Sequence, residues 1–280
     1  MRLIDRLIMT ISAKMWAKME WTRWYTLLRV DYFREMVVAW RKRYFIERQN
    51  ALRVWDGDNR RMTTMKSGLS TIEHNLEGLE DIRGTRGLRI IRPLSVIETY
   101  RPLSIMPAAS RGYDQDYITT AMVLDIGPRT EGELFSLMAY GFRMPNIRGL
   151  DLISYSPMID LGDMHAMPYQ DNTFDITIAS CVLVYSTDPK TACDEMIRVT
   201  RNGGLICISQ DTIPETGVAA VKVLGKQLIR IDDYLELFAS HVDQIFFRHE
   251  LPDRLRPINL EGGEGSNYTT GLIFSIKKDG

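Results

Sequence analysis

The chain has 280 residues, 45% hydrophobic and 25% charged, with 35 Lys plus Arg against 36 Asp plus Glu and a formal net charge of −1. That is an ordinary composition for a globular protein, long enough for one large domain or one domain with an added segment. It carries no overall basic excess to neutralise nucleic-acid phosphates, and its three cysteines (Cys181, Cys193, Cys207) lack the C-x-x-C spacing of a metal site or disulfide framework, which fits a reducing cytosol.

The averages conceal a division. Residues 1–66 hold all five tryptophans, and 15 Lys plus Arg against 7 Asp plus Glu, an excess of +8 that leaves −9 for the rest. Leu3, Leu7, Ile11 and Met15 recur at helical spacing, as do Leu27, Val30, Phe33, Val37 and Trp40. The stretch RKRYFIER then sets four basic residues around Tyr44 and Phe45. Amphipathic helices are expected here, packed on the main domain or on a second copy as a homodimer, or lying at an anionic membrane surface. The opening MRLIDRLIMTISAKMW starts like a signal peptide, but Asp5, Arg6 and Lys14 interrupt it, so retention is expected. No window approaches 18 uncharged apolar residues. The expected location is cytoplasmic, with peripheral membrane contact through residues 1–66 as a further role.

Residues 67–120, with Pro93, Pro102 and Pro107, show no clear period and read as a connecting, substrate-side segment. From 121 to 280 the pattern is regular. Strands are expected at 122–127, 146–153, 174–185, 203–210, 242–251 and 269–278, with a short element around IDLGD. Helices fall at 133–142, 188–200 (Asp188 as N-cap, Pro189 at the first position) and 231–240. Strands alternating with helices argue for a doubly wound α/β sheet. The last two strands have no helix between them and should pair antiparallel at one edge.

In such sheets ligands bind beyond the carboxyl ends of the strands, where Asp125, Asp151 and Asp163 fall. An acid ending the second strand suits a ribose diol, whether of NAD or of S-adenosylmethionine. The loop discriminates between them. A pyrophosphate wants backbone amides and a helix N-terminus, and Glu131 and Glu133 would repel it; a ligand carrying an ammonium and a sulfonium would be attracted.

The run LDIG…GLDL…GDMHAMPYQDNTFDITIASCVLVYSTDP…DEMIRVTRNGGLICIS resembles the class I S-adenosylmethionine-dependent methyltransferases, in the branch of the ubiquinone-biosynthesis-type enzymes. Asp163, Pro168, Tyr169, Asp171, Thr173, Phe174 and Asp175 match the family's middle motif, and Arg198, Val199, Arg201, Gly203 and Gly204 its R-V-x-[KR]-x-G-G. The resemblance implies a Rossmann-like seven-stranded sheet with its last strand antiparallel, the N-terminal helices being an extension. It implies that Asp125, Gly127, Pro128, Arg129 and Glu131 form the cofactor loop, that Asp151 holds the ribose with Leu152 beside the adenine, and that Asp163 accepts from the adenine amino group. Met164 would add a backbone contact there, and Ala179 and Ser180 would lie near the methionine. No metal is implied. The expected acceptor is a small molecule or a lipid- or glycan-linked intermediate, with Tyr185, His165 and Asp211 as candidate bases.

The loop departs from the family, because Arg129 and Glu131 stand where glycine is usual. Two outcomes follow. Arg129 pairs with the cofactor's carboxylate and Glu131 or Glu133 with its ammonium, or the two side chains fill the site and leave a catalytically silent scaffold or activator subunit. An NAD-linked oxidoreductase is disfavoured by the acidic loop and by the lack of a Tyr-x-x-x-Lys pair.

Overall fold

A computed structural model describes residues 27–57, 71–80, 117–139, 141–186, 188–212, 221–223, 226–228, 231–249 and 268–278. The helical stripe from Leu3 to Met15, Trp16, Trp21 and Trp24, the proline-punctuated run 93–107 and the loop after Asp211 lie outside them. The chain divides into two compact units: Met1–Trp55 with Leu76–Leu161, and Asp56–Asn75 with Gly162–Gly280.

The first unit opens with helix α1 (Asp31–Arg43), continued by a π-helical turn over Tyr44–Arg48, and a short strand β1 (Arg53–Val54). Helix α2 (Thr71–Glu80), which belongs to this unit only from Leu76 onward, and the single turn α3 (Tyr117–Thr120) occupy the stretch in which the sequence shows no period. There follow β2 (Val123–Ile126), α4 (Glu131–Ala139), β3 (Ile147–Asp151), β4 (Ile153–Ser154) and β5 (Ile159–Leu161). All four residues of β2 are buried, as expected of a parallel strand covered on both faces. β3 pairs parallel with β2 and with β5; β1 and β4 form a separate antiparallel ribbon.

The fully buried side of α1 shares only Val37 with the predicted stripe. Val30 is 54% exposed, whereas Arg34, Val37 and Arg41, at i, i+3 and i+7, are buried. Helix α1 lies antiparallel to α4. Just ahead of α1, Arg29 Nε donates to the Ala139 carbonyl at 3.0 Å, where the helix dipole favours a cation; Arg41, near its other end, reaches Glu131 at the start of α4. Of the four basic residues in RKRYFIER, Arg41 and Lys42 are therefore turned inward, Lys42 onto the Leu79 carbonyl, and Arg43 pairs with Glu47.

The second unit contains β6 (Phe174–Ser180), α5 (Pro189–Val199), β7 (Thr200–Thr212), β8 (Val221–Val223), β9 (Lys226–Leu228), α6 (Ile231–Phe238), β10 (Val242–His249) and β11 (Tyr268–Ile276). The Asp188 carboxylate accepts from the Thr191 N–H at 3.2 Å, capping α5 as the sequence predicts. Ala192, Cys193, Met196 and Ile197 form its buried face. The predicted strand 174–185 ends early, at Ser180. Cys181 takes φ 53°, which breaks the extended run, and Leu183–Tyr185 wind into a 3₁₀ turn.

The seven-stranded sheet runs in the order β10-β11-β7-β6-β2-β3-β5. β6 and β7 are parallel, while β11 is antiparallel to both β7 and β10. β10 and β11 thus pair antiparallel, as read from the sequence. Among the described residues no helix is long and apolar enough to cross a membrane.

Candidate cofactor site

At the end of β2, Gly127 takes φ 74°, open to glycine without steric cost, and donates its N–H to the Leu150 carbonyl at 2.8 Å. Pro128 then lies against β3. A Cβ on Gly149 would meet the Pro128 ring at 2.8 Å, so position 149 must be bare for the loop to sit down. Arg129 adopts φ 52° although it is not glycine, at a cost of roughly 1–2 kcal/mol. That backbone turn aims its N–H at Asp151 Oδ2, 2.7 Å away, while the Ile153 N–H reaches Oδ1 at 3.2 Å. Asp151 is thus gripped by one backbone donor on each oxygen, and a carboxylate oxygen so engaged keeps a second acceptor position for a hydroxyl.

Glu131 has a different task from the one expected of it. Its carboxylate is 0% exposed and receives both arms of a guanidinium, Arg41 Nε to Oε2 at 2.6 Å and Nη2 to Oε1 at 2.7 Å. Ser156 Oγ donates to the same Oε1, and the Glu131 N–H donates to the Tyr155 hydroxyl at 3.0 Å. The Arg41 guanidinium also stands over the rings of Phe45 and Phe135 at 5.2 and 5.4 Å. Burial works against the Arg41 charge, but Glu131 outweighs it and the guanidinium's pKa ends above its usual value. The contact of Glu131 with a ligand ammonium is therefore corrected: Arg41 already neutralises it.

The anionic character that remains comes from Asp125. It is 1% exposed, and no donor among the described residues reaches either of its oxygens. Burial, then the neighbouring Glu133 carboxyl, then Asp151, hold its pKa well above the usual carboxylate range. Two buried carboxyls in contact share a proton until a cation replaces it.

In the second unit, Asp163 and His165 are joined twice. Asp163 Oδ1 accepts from the His165 N–H at 2.8 Å and meets Nδ1 at 2.6 Å. His165 Nε2 meets Ser186 Oγ at 2.6 Å, and Ser186 Oγ accepts from the Asp188 N–H at 3.0 Å. The partners assign the proton to Nδ1, with Nε2 accepting from the Ser186 hydroxyl. His165 has both ring nitrogens engaged and is only 4% exposed, so in this arrangement the ring faces Ser186 rather than open space, the geometry of a positioning residue. His165→Asn is expected to cost about 1–3 kcal/mol by stranding buried partners, read from urea midpoints. An unchanged midpoint would count against the network.

The middle motif is knotted by Arg198. Its guanidinium donates to the carbonyls of Met167 (2.9 Å) and Tyr169 (2.7 Å), to Asp171 (2.8 Å) and to Glu195 (2.6 Å). These contacts hold the segment after Asp163 in place. Ser209 Oγ donates to Ser180 Oγ at 3.1 Å, and the Cys181 N–H to the Ser209 carbonyl at 2.7 Å. Ala179, Ser180, Met164 and Leu152 are all buried, and Tyr185 is half-buried on its 3₁₀ turn. Asp211 lies in β7, opposite Thr269 of β11. The structure thus gathers Asp125, Gly127, Pro128, Arg129 and Asp151 around one loop in the first unit, and Asp163 with His165 in the second. Arg41, Tyr155, Ser156 and Ser186 escape sequence reasoning, since nothing in their spacing distinguishes them from a solvated face or an ordinary loop.

Residues 124–208 match the family model described as methyltransferase domain. Over 102 residues the chain is 33% identical to malonyl-[acyl-carrier protein] O-methyltransferase of Serratia marcescens, covering 35% of this chain and 39% of that protein. It is 40% identical over 63 residues to demethylmenaquinone methyltransferase of Renibacterium salmoninarum, covering 22% of this chain and 27% of that one. The chain thus spans less than half the length of the curated relatives it matches. A crystal structure of a Pyrococcus horikoshii protein is similar over 65% of this chain and 90% of its own, at 16% identity and a TM-score of 0.42. With its glycine turn, strand-end acids and seven-stranded sheet, the chain carries over residues 124–208 a region similar to the methyltransferase domain family.

Proposed function

We propose that the chain binds S-adenosylmethionine and transfers its methyl group to a small-molecule, carrier-linked or lipid-linked acceptor. The observation that supports this best is Asp151, fixed by the backbone N–H groups of Arg129 and Ile153 with acceptor capacity left on each oxygen for a ribose diol. Asp125 supports the fit at the other end: its buried carboxyl pair with Glu133 is the group an ammonium would take over from the shared proton. When bound, the cofactor supplies an electrophilic methyl on a sulfonium. The chain's own residues would orient it, through Asp151 at the ribose, Asp125 with Glu133 at the ammonium and Asp163 at the adenine. Positioning of this kind can contribute roughly 7–11 kcal/mol. Tyr185 and Asp211 are the remaining candidates for accepting a proton where the acceptor is a hydroxyl. The two relatives named above act on a carrier-bound malonyl group and on a demethylated quinone, and the acceptor class proposed here includes both.

A second reading, a silent scaffold, is favoured by one observation: both glycine positions of the loop are filled, one of them sealed by Arg41. Calorimetric titration with S-adenosylmethionine and S-adenosylhomocysteine, with NAD as control, separates the two. Micromolar binding is expected, weakened roughly 10- to 100-fold in Asp151→Ala. No binding at millimolar cofactor would establish the scaffold instead.

A further inference from the structure

The ribbon of β1 and β4 has no counterpart in the sequence reading, and it brings a tryptophan opposite Leu152, the residue after Asp151. Arg53 pairs with Ser154 and Val54 with Ile153. The register continues, since the Trp55 N–H donates to the Leu152 carbonyl at 2.8 Å. Residues opposed in an antiparallel pair carry their side chains on the same face, so the Trp55 indole shares the face of Leu152, the residue next to Asp151. The indole Nε1 is buried and has no acceptor among the described residues. A buried donor without a partner is rare in a folded protein and calls for one.

We propose that Trp55 is a cofactor-binding residue: its indole covers the purine beside Leu152, and its N–H donates to an acceptor on the nucleoside. The inference rests on the methyltransferase reading above and assigns the recognition of the purine partly to the N-terminal segment. An indole is suited to both parts, with a large flat face for stacking and a single donor that satisfies a purine ring nitrogen or a ribose oxygen. The ligand class is an adenine nucleoside bearing a thioether or sulfonium. The ribbon supplies the rigidity, because three successive backbone contacts between 53–55 and 152–154 fix where the indole stands.

The test uses the full chain and S-adenosylhomocysteine, by calorimetry and by tryptophan emission. Trp55→Phe keeps a ring and removes the donor, and is expected to raise Kd up to about tenfold. Trp55→Ala removes both and is expected to raise it by about 10- to 100-fold. The emission change on binding should appear in the wild type and be absent in Trp55→Phe, whose fold is checked by its thermal midpoint. Equal Kd values in all three proteins would overturn the role of Trp55 and leave the methyltransferase reading intact. No binding to the wild type would overturn both.

Discussion

Asp125→Asn is expected to stabilise the protein and to weaken cofactor binding. In the wild type two buried carboxyls, Asp125 and Glu133, lie against each other, and burial and this neighbour raise the pKa of Asp125 in the folded state. The folded chain therefore holds a proton more tightly than the unfolded chain. The stability this contributes is fully present below the ordinary carboxylate pKa near 4 and is lost as pH rises through the higher folded value. An asparagine amide donates to Glu133 at any pH. The gain should be absent at pH 4 and reach about 1–3 kcal/mol by pH 8, the cost of an unsatisfied buried group, as measured by urea denaturation at both pH values. The same substitution removes the charge that would meet a ligand ammonium, so S-adenosylmethionine binding should weaken at least tenfold. Proton release on binding, obtained from calorimetry in buffers of different ionisation enthalpy, should fall with it. A destabilised Asp125→Asn at pH 8 would show that the carboxyl pair is not a source of strain.

The second large effect is expected at Arg41. Arg41→Ala leaves Glu131 ionisable, buried and without its bidentate partner, and breaking a buried pair from one side costs about 3–5 kcal/mol. The loss of contact with Phe45 and Phe135 adds to it. Replacing both partners, as Arg41→Met with Glu131→Gln, removes the stranded charge as well as the pair. It should therefore cost clearly less than Arg41→Ala alone. Denaturation of the single and double variants gives the coupling directly; additive costs would mean that the two groups do not depend on each other. A fall in cofactor affinity in Arg41→Ala, reversed in the double variant, would place the pair in support of the loop.

What the sequence makes legible follows from its periodicities. The buried run of β2, the Asp188 cap with Pro189, and the antiparallel pairing of the last two strands rest on local signals, and each has the predicted outcome. The turn after β2 is legible too, since Gly127 takes the positive φ that a glycine after a strand allows. The partner of Glu131 is not legible. Arg41 lies 90 residues away, on a helix whose apolar spacing points to Val30, Phe33 and Val37, whereas the buried positions include Arg34 and Arg41 beside Val37. An arginine buried against a carboxylate reads, in one dimension, like an arginine in water. The early end of β6 is hidden for a similar reason: Cys181 carries no intrinsic preference for the left-handed backbone that stops the strand. Trp55 becomes meaningful only through register, since no local pattern tells which strand a two-residue segment will join.

Helix α1 grips both ends of α4, Arg29 at the last carbonyl and Arg41 at the first acid. Amides at the start of α4 can exchange with solvent by local opening only when that grip is released. Helix α1 and the loop from Gly127 to Glu133 should consequently behave as one cooperative element with a shared opening free energy. The time for which a ligand stays seated on the loop would then be governed by a segment that begins a hundred residues upstream of it.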